Sequence, residues 1–364
     1  MTGIALLLPD FRGGGVERIR IELAREFVRL GHPVEFVLMR ADGDFLSEAR
    51  AEFPVVDLQA PRARQVVPAL AGYLRQARPT ALLAAMWPLT VIAPAAACLA
   101  GFRGAVVVSE HGIISAQYRD WGRLHRLALR SSTFVGYRLA SGRVGVSQGV
   151  AADMASLSLM TPSRMTTIHN PVRVLPSPTA DALDQADALW GVPSGRRILT
   201  VGNLKEVKNH PLLLRSFEQM GDAGARLMIL GQGANEGGLR ALAADLGIAA
   251  QVIFPGFHAD PAPFYASADL FVLSSDYEGF GNVIVEALSF GLPVVSTDCP
   301  SGPAEILDGD RFGRLVPVGD APALAQAMVA ALAEPADQDL LKRRAADFSP
   351  EIAARSYLSA LGLT

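Results

Sequence analysis

Two glutamates, Glu278 and Glu286, are separated by seven residues in the run EGFGNVIVEALSFGLPVVSTDC, and the second falls within an apolar stretch that reads as a buried helix. An ionised carboxylate buried without a partner costs several kcal/mol. No basic residue lies within four positions of Glu286, so the sequence calls for a distant side chain or a bound ligand. The loop in front, Glu278-Gly279-Phe280-Gly281-Asn282, feeds straight into that helix, so backbone N–H groups and the positive helix end face one point. The combination suits an anion that also carries hydroxyl groups.

Other residue types that could do chemistry are sparser. Lysine occurs at three positions, and two of them, Lys205 and Lys208, stand in VGNLKEVKNH. A flexible point charge there suits a phosphate; surface solvation is the plain alternative. His111 follows a strand in SEHG, where it could touch a substrate, move a proton, or satisfy a structural contact. The triplet Gly13-Gly14-Gly15 would let backbone approach a ligand at a helix start, or form a flexible turn. Neither a G-x-G-x-x-G fingerprint nor a G-x-x-x-x-G-K-[ST] phosphate loop occurs. Two D-G-D triplets, Asp42-Gly43-Asp44 and Asp308-Gly309-Asp310, sit in turn-like settings, so no metal is expected. The two cysteines, Cys98 and Cys299, have no zinc-type or disulfide-type spacing and read as reduced core residues of a cytoplasmic protein.

These residues need a scaffold of strands and helices. At 364 residues, half of them hydrophobic, the chain suits two domains. Short β-branched or Leu-rich runs alternate with amphipathic stretches, the pattern of parallel sheets covered by helices. Strands are expected at 4–9, 34–39, 81–86, 105–109, 143–146 and 165–168, then at 197–201, 226–230, 252–254, 270–274, 293–297 and 314–317. A Pro- and Gly-rich stretch, 170–195, reads as the junction. The expected architecture is α/β, with two doubly wound parallel-sheet domains facing a cleft. In such sheets ligands bind beyond the carboxyl ends of the strands, where Gly14, His111, Lys208 and Glu278 fall.

The net charge of −3 conceals an asymmetry: residues 1–171 carry nineteen Arg and no Lys against thirteen acids, a surplus of six, and the rest carries a deficit of nine. A basic N-terminal half suggests an anionic acceptor or an anionic lipid surface, with no nucleic-acid partner expected. Arg119, Arg123, Arg126, Arg130, Arg138 and Arg143 are strung among Trp121, Leu124, Leu127, Leu129, Phe134 and Tyr137. Arginines three or four apart share a helix face, so this segment could rest on the inner face of the plasma membrane or be a solvated basic helix. The uncharged run 81–100 is split by Pro88 and Pro94 and reads as a strand followed by a helix rather than a membrane span. The N-terminal MTGIALLLPDF reads as a first strand, not a signal peptide.

The segments GGGVER, VGNLKEVKNH, ILGQG, FPGF and LSSDYEGFGNVIVEALSFGLPVVSTDCPSGPAEIL together resemble the retaining glycosyltransferases of family 4, also called group 1, over nearly the whole chain. The resemblance implies the GT-B fold, with residues 1–169 as the acceptor-side domain, 170–347 as the nucleotide-sugar domain, and 348–364 as a C-terminal helix packing back toward the first. It implies that Glu278 lies by the hydroxyls of the donor sugar, that Glu286 binds the ribose, and that Phe280, Gly281 and Asn282 offer backbone N–H groups to sugar and diphosphate. Lys208 matches the lysine that neutralises the diphosphate. Its usual arginine companion is Asn203 here, so one positive charge is missing from that site. Gly14 and Gly15 would approach the diphosphate, His111 the transferred sugar, and Gly231, Gly233 and Phe257 the base and ribose. The implied activity moves a hexose or N-acetylhexosamine from a UDP-sugar to a cell-surface glycan precursor, with a lipid-linked, polyprenyl diphosphate acceptor and neither cofactor nor metal. A sugar-nucleotide 2-epimerase shares the architecture but needs acid and base groups on both faces of the sugar carbon. A noncatalytic nucleotide-sugar-binding scaffold is the other alternative, kept open by Asn203.

Overall fold

A computed structural model of the protein describes residues 3–12, 14–191 and 196–364. Gly13 of the glycine triplet and the last four residues of the expected junction lie outside the described residues. The chain divides into two compact units, one formed by residues 1–171 with 349–364 and the other by 172–348.

The first unit is a seven-stranded parallel sheet in the order β3-β2-β1-β4-β5-β6-β7. Its strands are β1 (Ile4–Leu8), β2 (Val34–Leu38), β3 (Val55–Asp57), β4 (Ala81–Ala85), β5 (Ala105–Glu110), β6 (Gly142–Gly145) and β7 (Thr166–Thr167). The alternation of β1 explains both of its cores. Ile4, Leu6 and Leu8 face a layer with Leu23, Ala24 and Phe27 of the first helix, Gly15–Arg29. Ala5 and Leu7 face the opposite layer with Val66, Leu70 and Leu74. Each fully buried Leu or Phe contributes about 1.5–3 kcal/mol. The C-terminal helix Pro350–Leu361 adds Ala353, Ala354, Tyr357, Leu358 and Leu361 to the first of these layers.

The second unit is a six-stranded parallel sheet in the order β10-β9-β8-β11-β12-β13. The strands are β8 (Arg197–Val201), β9 (Arg226–Leu230), β10 (Val252–Gly256), β11 (Leu270–Leu273), β12 (Val294–Thr297) and β13 (Arg314–Val316). Ile198, Leu227, Ile229, Val272 and Val295 anchor its main core.

All twelve expected strands are present, with ends moved by a residue or two, and the doubly wound order holds in both units. The strand missed from sequence is β3, a three-residue edge strand whose Pro54 and Asp57 masked two valines. The run 81–100 forms β4 and the helix Leu89–Ala100, and no helix among the described residues is long and apolar enough to cross a membrane. One expectation is corrected there: Cys98 lies on the outward side of its helix and is exposed, whereas Cys299 is buried.

Candidate active site

In the second unit the strand order reverses between β8 and β11. Loops leaving two such strands diverge and open a crevice at their carboxyl ends. The β8 loop carries Asn203, Lys205 and Lys208, and the β11 loop carries Ser275 through Gly281. They are laced together. Lys208 Nζ lies 2.6 Å from Glu278 Oε1, and Ser275 Oγ donates to the same oxygen at 2.6 Å. Ser274 Oγ donates to the Lys208 carbonyl at 2.8 Å, and Asn209 Nδ2 donates to Asp276 Oδ1 at 2.7 Å. This ion pair went unforeseen in the sequence, although the adjacency of the two strands is the signal that could have found it.

Two neighbours of the pair are held neutral. Burial, and then the charge of Glu278, push the Cys299 thiol up to about 12. Burial, and then the charge of Lys208, push the His210 imidazole down to about 4. Asn203 and Lys205 are exposed on the same loop.

Glu286 is placed differently from the expectation. Its helix, Asn282–Ser289, is eight residues long, and Asn282, Val283, Glu286, Ser289 and Phe290 are only half-buried. The apolar run is therefore packed on one side instead of enclosed, which puts the carboxylate at a partly open edge. There it has a protein partner, the Tyr265 hydroxyl, which donates to Oε2 at 2.9 Å. Tyr265 is itself fixed by stacking on Phe290, 5.8 Å between centroids.

The glycine loop before this helix presents backbone. Gly281 caps the helix with φ +98°, a conformation that favours glycine. The Phe280 side chain is core, packed edge-to-face on Phe348 at 5.4 Å. The loops after β8 and β9 meet backbone to backbone: a Cβ on Gly231, at φ +150°, would lie 2.0 Å from the Gly202 carbonyl oxygen. A Cβ on Gly233 would lie 2.8 Å from the Leu204 carbonyl oxygen. After β10, Phe257 is 62% exposed, an uncommon state for a large aromatic.

In the first unit Gly14 is the N-cap of the first helix, and the buried carboxylate of Glu17 folds back over it, so a Cβ at Gly14 would lie 2.4 Å from Glu17 Oε2. Gly15 is exposed at the first turn. His111 follows β5. Its Nε2 lies 2.9 Å from Arg20 Nη2 and 2.9 Å from Ser109 Oγ. Burial and the Arg20 charge hold the imidazole well below its usual range, so it is neutral at physiological pH. Arg20 was missed in the sequence. Its signal is helical register, since a basic residue in phase with Leu23, Ala24 and Phe27 stands on the apolar face.

The arginine-rich segment is the helix Arg123–Leu139, preceded by Arg119. Arg119, Arg123, Arg126 and Arg130 are exposed. Arg138, exposed on the same helix, and Arg143 are both engaged by backbone. Arg138 donates to the carbonyls of Ser158 and Leu159, and Arg143 donates to the carbonyls of Tyr137 and Ala140. In the D-G-D triplets Asp42 pairs with Arg12 and Arg40, Asp308 with Arg311, and Asp310 accepts the Leu315 N–H.

Comparison with known proteins gives this arrangement its family. A model described as Glycosyltransferase Family 4 matches residues 13–174, and one described as Glycosyl transferases group 1 matches residues 195–334. A Campylobacter jejuni protein, the N-acetylgalactosamine-N,N'-diacetylbacillosaminyl-diphospho-undecaprenol 4-alpha-N-acetylgalactosaminyltransferase, is 39% identical over 121 residues, 33% of either chain. The lipopolysaccharide core biosynthesis glycosyltransferase LpsE of Rhizobium meliloti is 34% identical over 169 residues, 45% of this chain and 49% of its own. The chain thus spans between a third and a half of the length of these two relatives. Among solved structures, Anabaena HepE in complex with UDP and glucose superposes over 100% of both chains with a TM-score of 0.83 at 20% identity, a likeness of fold. The lipopolysaccharide outer core galactosyltransferase WaaB gives 0.74 at 18% identity over 99% of each. With the two family models accounting for most of both units and the sheet order matching that architecture, the chain belongs to the family 4, group 1 glycosyltransferases of the GT-B fold.

Proposed function

We propose that the protein is a retaining glycosyltransferase that moves a hexose or N-acetylhexosamine from a UDP-sugar to a glycan precursor carried on a polyprenyl diphosphate. The observation that carries this reading is the Lys208–Glu278 pair beyond β8 and β11, with Glu286 on the helix that follows. In this reading the diphosphate lies against Lys208 and the N–H groups of Phe280, Gly281 and Asn282 at the helix start. Glu278 takes the sugar hydroxyls and Glu286, steadied by Tyr265, takes the ribose. Gly231, Gly233 and Phe257 border the base, and Asn203 lines the same loop. Within the N-terminal unit, this reading gives His111 the transferred sugar and Gly14 with Gly15 the diphosphate.

The reaction breaks the bond between the sugar anomeric carbon and the diphosphate oxygen and forms one to the acceptor hydroxyl on the same face. The acceptor proton passes to the departing phosphate. The protein supplies no nucleophile and needs no metal: oriented N–H donors, a helix N-terminus and Lys208 meet the negative charge where it develops.

The helix Arg123–Leu139 supports a membrane-linked acceptor. It packs through Leu129, Thr133, Gly136 and Tyr137, yet its outward side carries Leu124, 82% exposed, Leu127, 62% exposed, and Val135 and Leu139. Arg123, Arg126 and Arg130 flank that stripe, and Trp121 joins an aromatic cluster with Trp87 and Tyr118 at its base. An apolar stripe bordered by arginine and tryptophan suits a peripheral position on an anionic inner leaflet. The name of the Campylobacter relative includes an undecaprenol-linked diphosphate, which supports a lipid-linked acceptor.

A panel of UDP-, GDP- and ADP-sugars tested by thermal shift, followed by assay of UDP release, tests the donor. UDP compounds should stabilise the parent and much less the Glu286→Ala variant, with slow UDP release in the absence of acceptor. Equal shifts in both proteins count against the ribose assignment. Stabilisation with no release under any condition favours the noncatalytic scaffold, a reading supported by Lys208 already having a carboxylate partner and by Asn203 adding no charge.

A further inference from the structure

Arg20 is 1% exposed, and no carboxylate pairs with it among the described residues. Its Nη2 donates to Ser109 Oγ and lies 2.9 Å from His111 Nε2, while Nε and Nη1 have no hydrogen-bond partner among the described residues. The ring of Tyr357, from the C-terminal helix, covers the guanidinium at 5.2 Å, and the Tyr357 hydroxyl lies 3.4 Å from Ser109 Oγ. Exchanging such a buried cation for an apolar side chain is often neutral or stabilising. Packing therefore gives no reason for an arginine at this position.

The hydrogen-bond inventory of the two side chains supplies one. A guanidinium has N–H donors only and keeps its charge. His111 Nε2 must therefore offer Arg20 its lone pair, which leaves the single ring proton on Nδ1. A second proton would set N–H against N–H beside a fixed positive charge.

We infer that Arg20 is a positioning residue: it locks His111 as the neutral Nδ1–H tautomer, so that His111 serves glycosyl transfer as a fixed hydrogen-bond donor and not as a proton carrier. The role in transfer rests on the function proposed above; the tautomer does not. Nδ1 is buried, and among the described residues the acceptor beside it is the Asn170 side chain. In the proposed transferase a hydroxyl or phosphate oxygen of the substrate would compete with the Asn170 side chain for this donor. The groups facing the imidazole are Arg20 from the first helix, Tyr357 above Ser109, and Asn170. Glu110, next to it in the chain, turns instead to Thr90, Tyr137 and the Trp87 N–H.

Nitrogen-15 spectra of histidine-labelled protein, with His111→Gln to assign the signal, test the lock without any substrate. The parent should show Nδ1 protonated and no titration of His111 between roughly pH 5.5 and 8. Arg20→Met should mix tautomers and raise the His111 midpoint above that of the parent, with burial still holding it below the ordinary range. Arg20→Gln, which removes the charge but keeps donors, should raise the midpoint as well and serves if the first variant does not fold. A parent with Nε2 protonated, a parent that titrates near 6.5, or variants indistinguishable from it overturn the inference. In turnover, kcat/KM of Arg20→Met should fall at acid pH with the midpoint that its nitrogen-15 titration gives, while the parent stays level; matching profiles also overturn it. Absent turnover with the expected spectra would instead remove the transferase reading and leave the tautomer lock standing.

Discussion

Lys208 and Glu278, 70 residues apart in the chain, meet at 2.6 Å because β8 and β11 are neighbours where the sheet order reverses. The side chains retain 20% and 12% of their exposure, so the pair is shielded without being sealed. In the proposed reading, an arriving diphosphate has to share a lysine that a carboxylate already holds. The site exchanges partners more than it fills an empty charge.

That exchange separates stability from binding. Lys208→Met leaves Glu278 with Ser275 as its remaining polar partner and should destabilise the protein by about 1–2 kcal/mol, below the figure for a sealed pair because solvent screens it. It should also weaken UDP binding at least tenfold. Adding Glu278→Gln removes the orphaned charge, so the double variant should regain stability but not affinity. Denaturant unfolding and UDP titration check the two separately; recovery of both would mean that Lys208 does not meet the diphosphate.

Tyr265 and Glu286 are joined by a single hydroxyl bond, and the two substitutions should differ in rank. Glu286→Ala should abolish most of the stabilisation given by saturating UDP, which for a ligand at a hundredfold its Kd is about 2.7 kcal/mol. Tyr265→Phe loosens the carboxylate without removing it and should weaken UDP a few-fold. Thermal shift against UDP concentration gives both values. A Phe variant weaker than the Ala variant would show that the hydroxyl, and not the carboxylate, holds the nucleotide.

How far the sequence could be read follows from which interactions are local. Strand positions and the glycine loop before Glu286 depend on short patterns, and they stand where periodicity places them. The burial of Glu286 depends on how many sides of one helix are covered, which an eight-residue apolar run does not reveal. The partners of Lys208 and His111 come from elements 70 and 91 positions away, and such contacts exist only once strand order is known. Even so, Arg20 in phase with Leu23 and Phe27 is a local anomaly that helical spacing alone exposes.

Two buried groups give opposite pH slopes to stability. Burial raises the Glu110 carboxyl to about 7 despite three hydrogen-bond donors. Because the unfolded chain releases that proton near 4.3, the native state binds more protons between there and about 7, and stability falls as pH rises through this window. His210, lowered to about 4 by burial and Lys208, acts the other way, adding stability as pH rises from about 4 to 6.5. Glu110→Gln removes the first slope and leaves the second. Its amide oxygen can accept from Thr90 and Tyr137, but the amide nitrogen then faces the Trp87 N–H, so the variant starts lower at pH 5. The gap in melting temperature should then shift in its favour by about 3 °C or more by pH 8. A gap constant with pH would mean that Glu110 is ionised throughout.

The outward stripe of the helix Arg123–Leu139 predicts how the protein should treat lipid. Leu124 and Leu127 supply apolar area, and Arg123, Arg126 and Arg130 supply attraction worth about 1 kcal/mol each near an anionic surface. Changing the three arginines to Gln should therefore weaken flotation with vesicles containing anionic lipid by about two orders of magnitude and remove its salt dependence. Changing Leu124 and Leu127 to Asp should abolish binding at every salt concentration, without unfolding, because neither side chain contributes to the core. Binding indifferent to anionic lipid, or absent from the parent, removes the membrane assignment. Self-association of the parent that both Asp changes abolish, with no vesicle binding, would give the stripe to a second copy of the chain, since an exposed leucine pair bordered by arginine can be covered by protein as readily as by lipid.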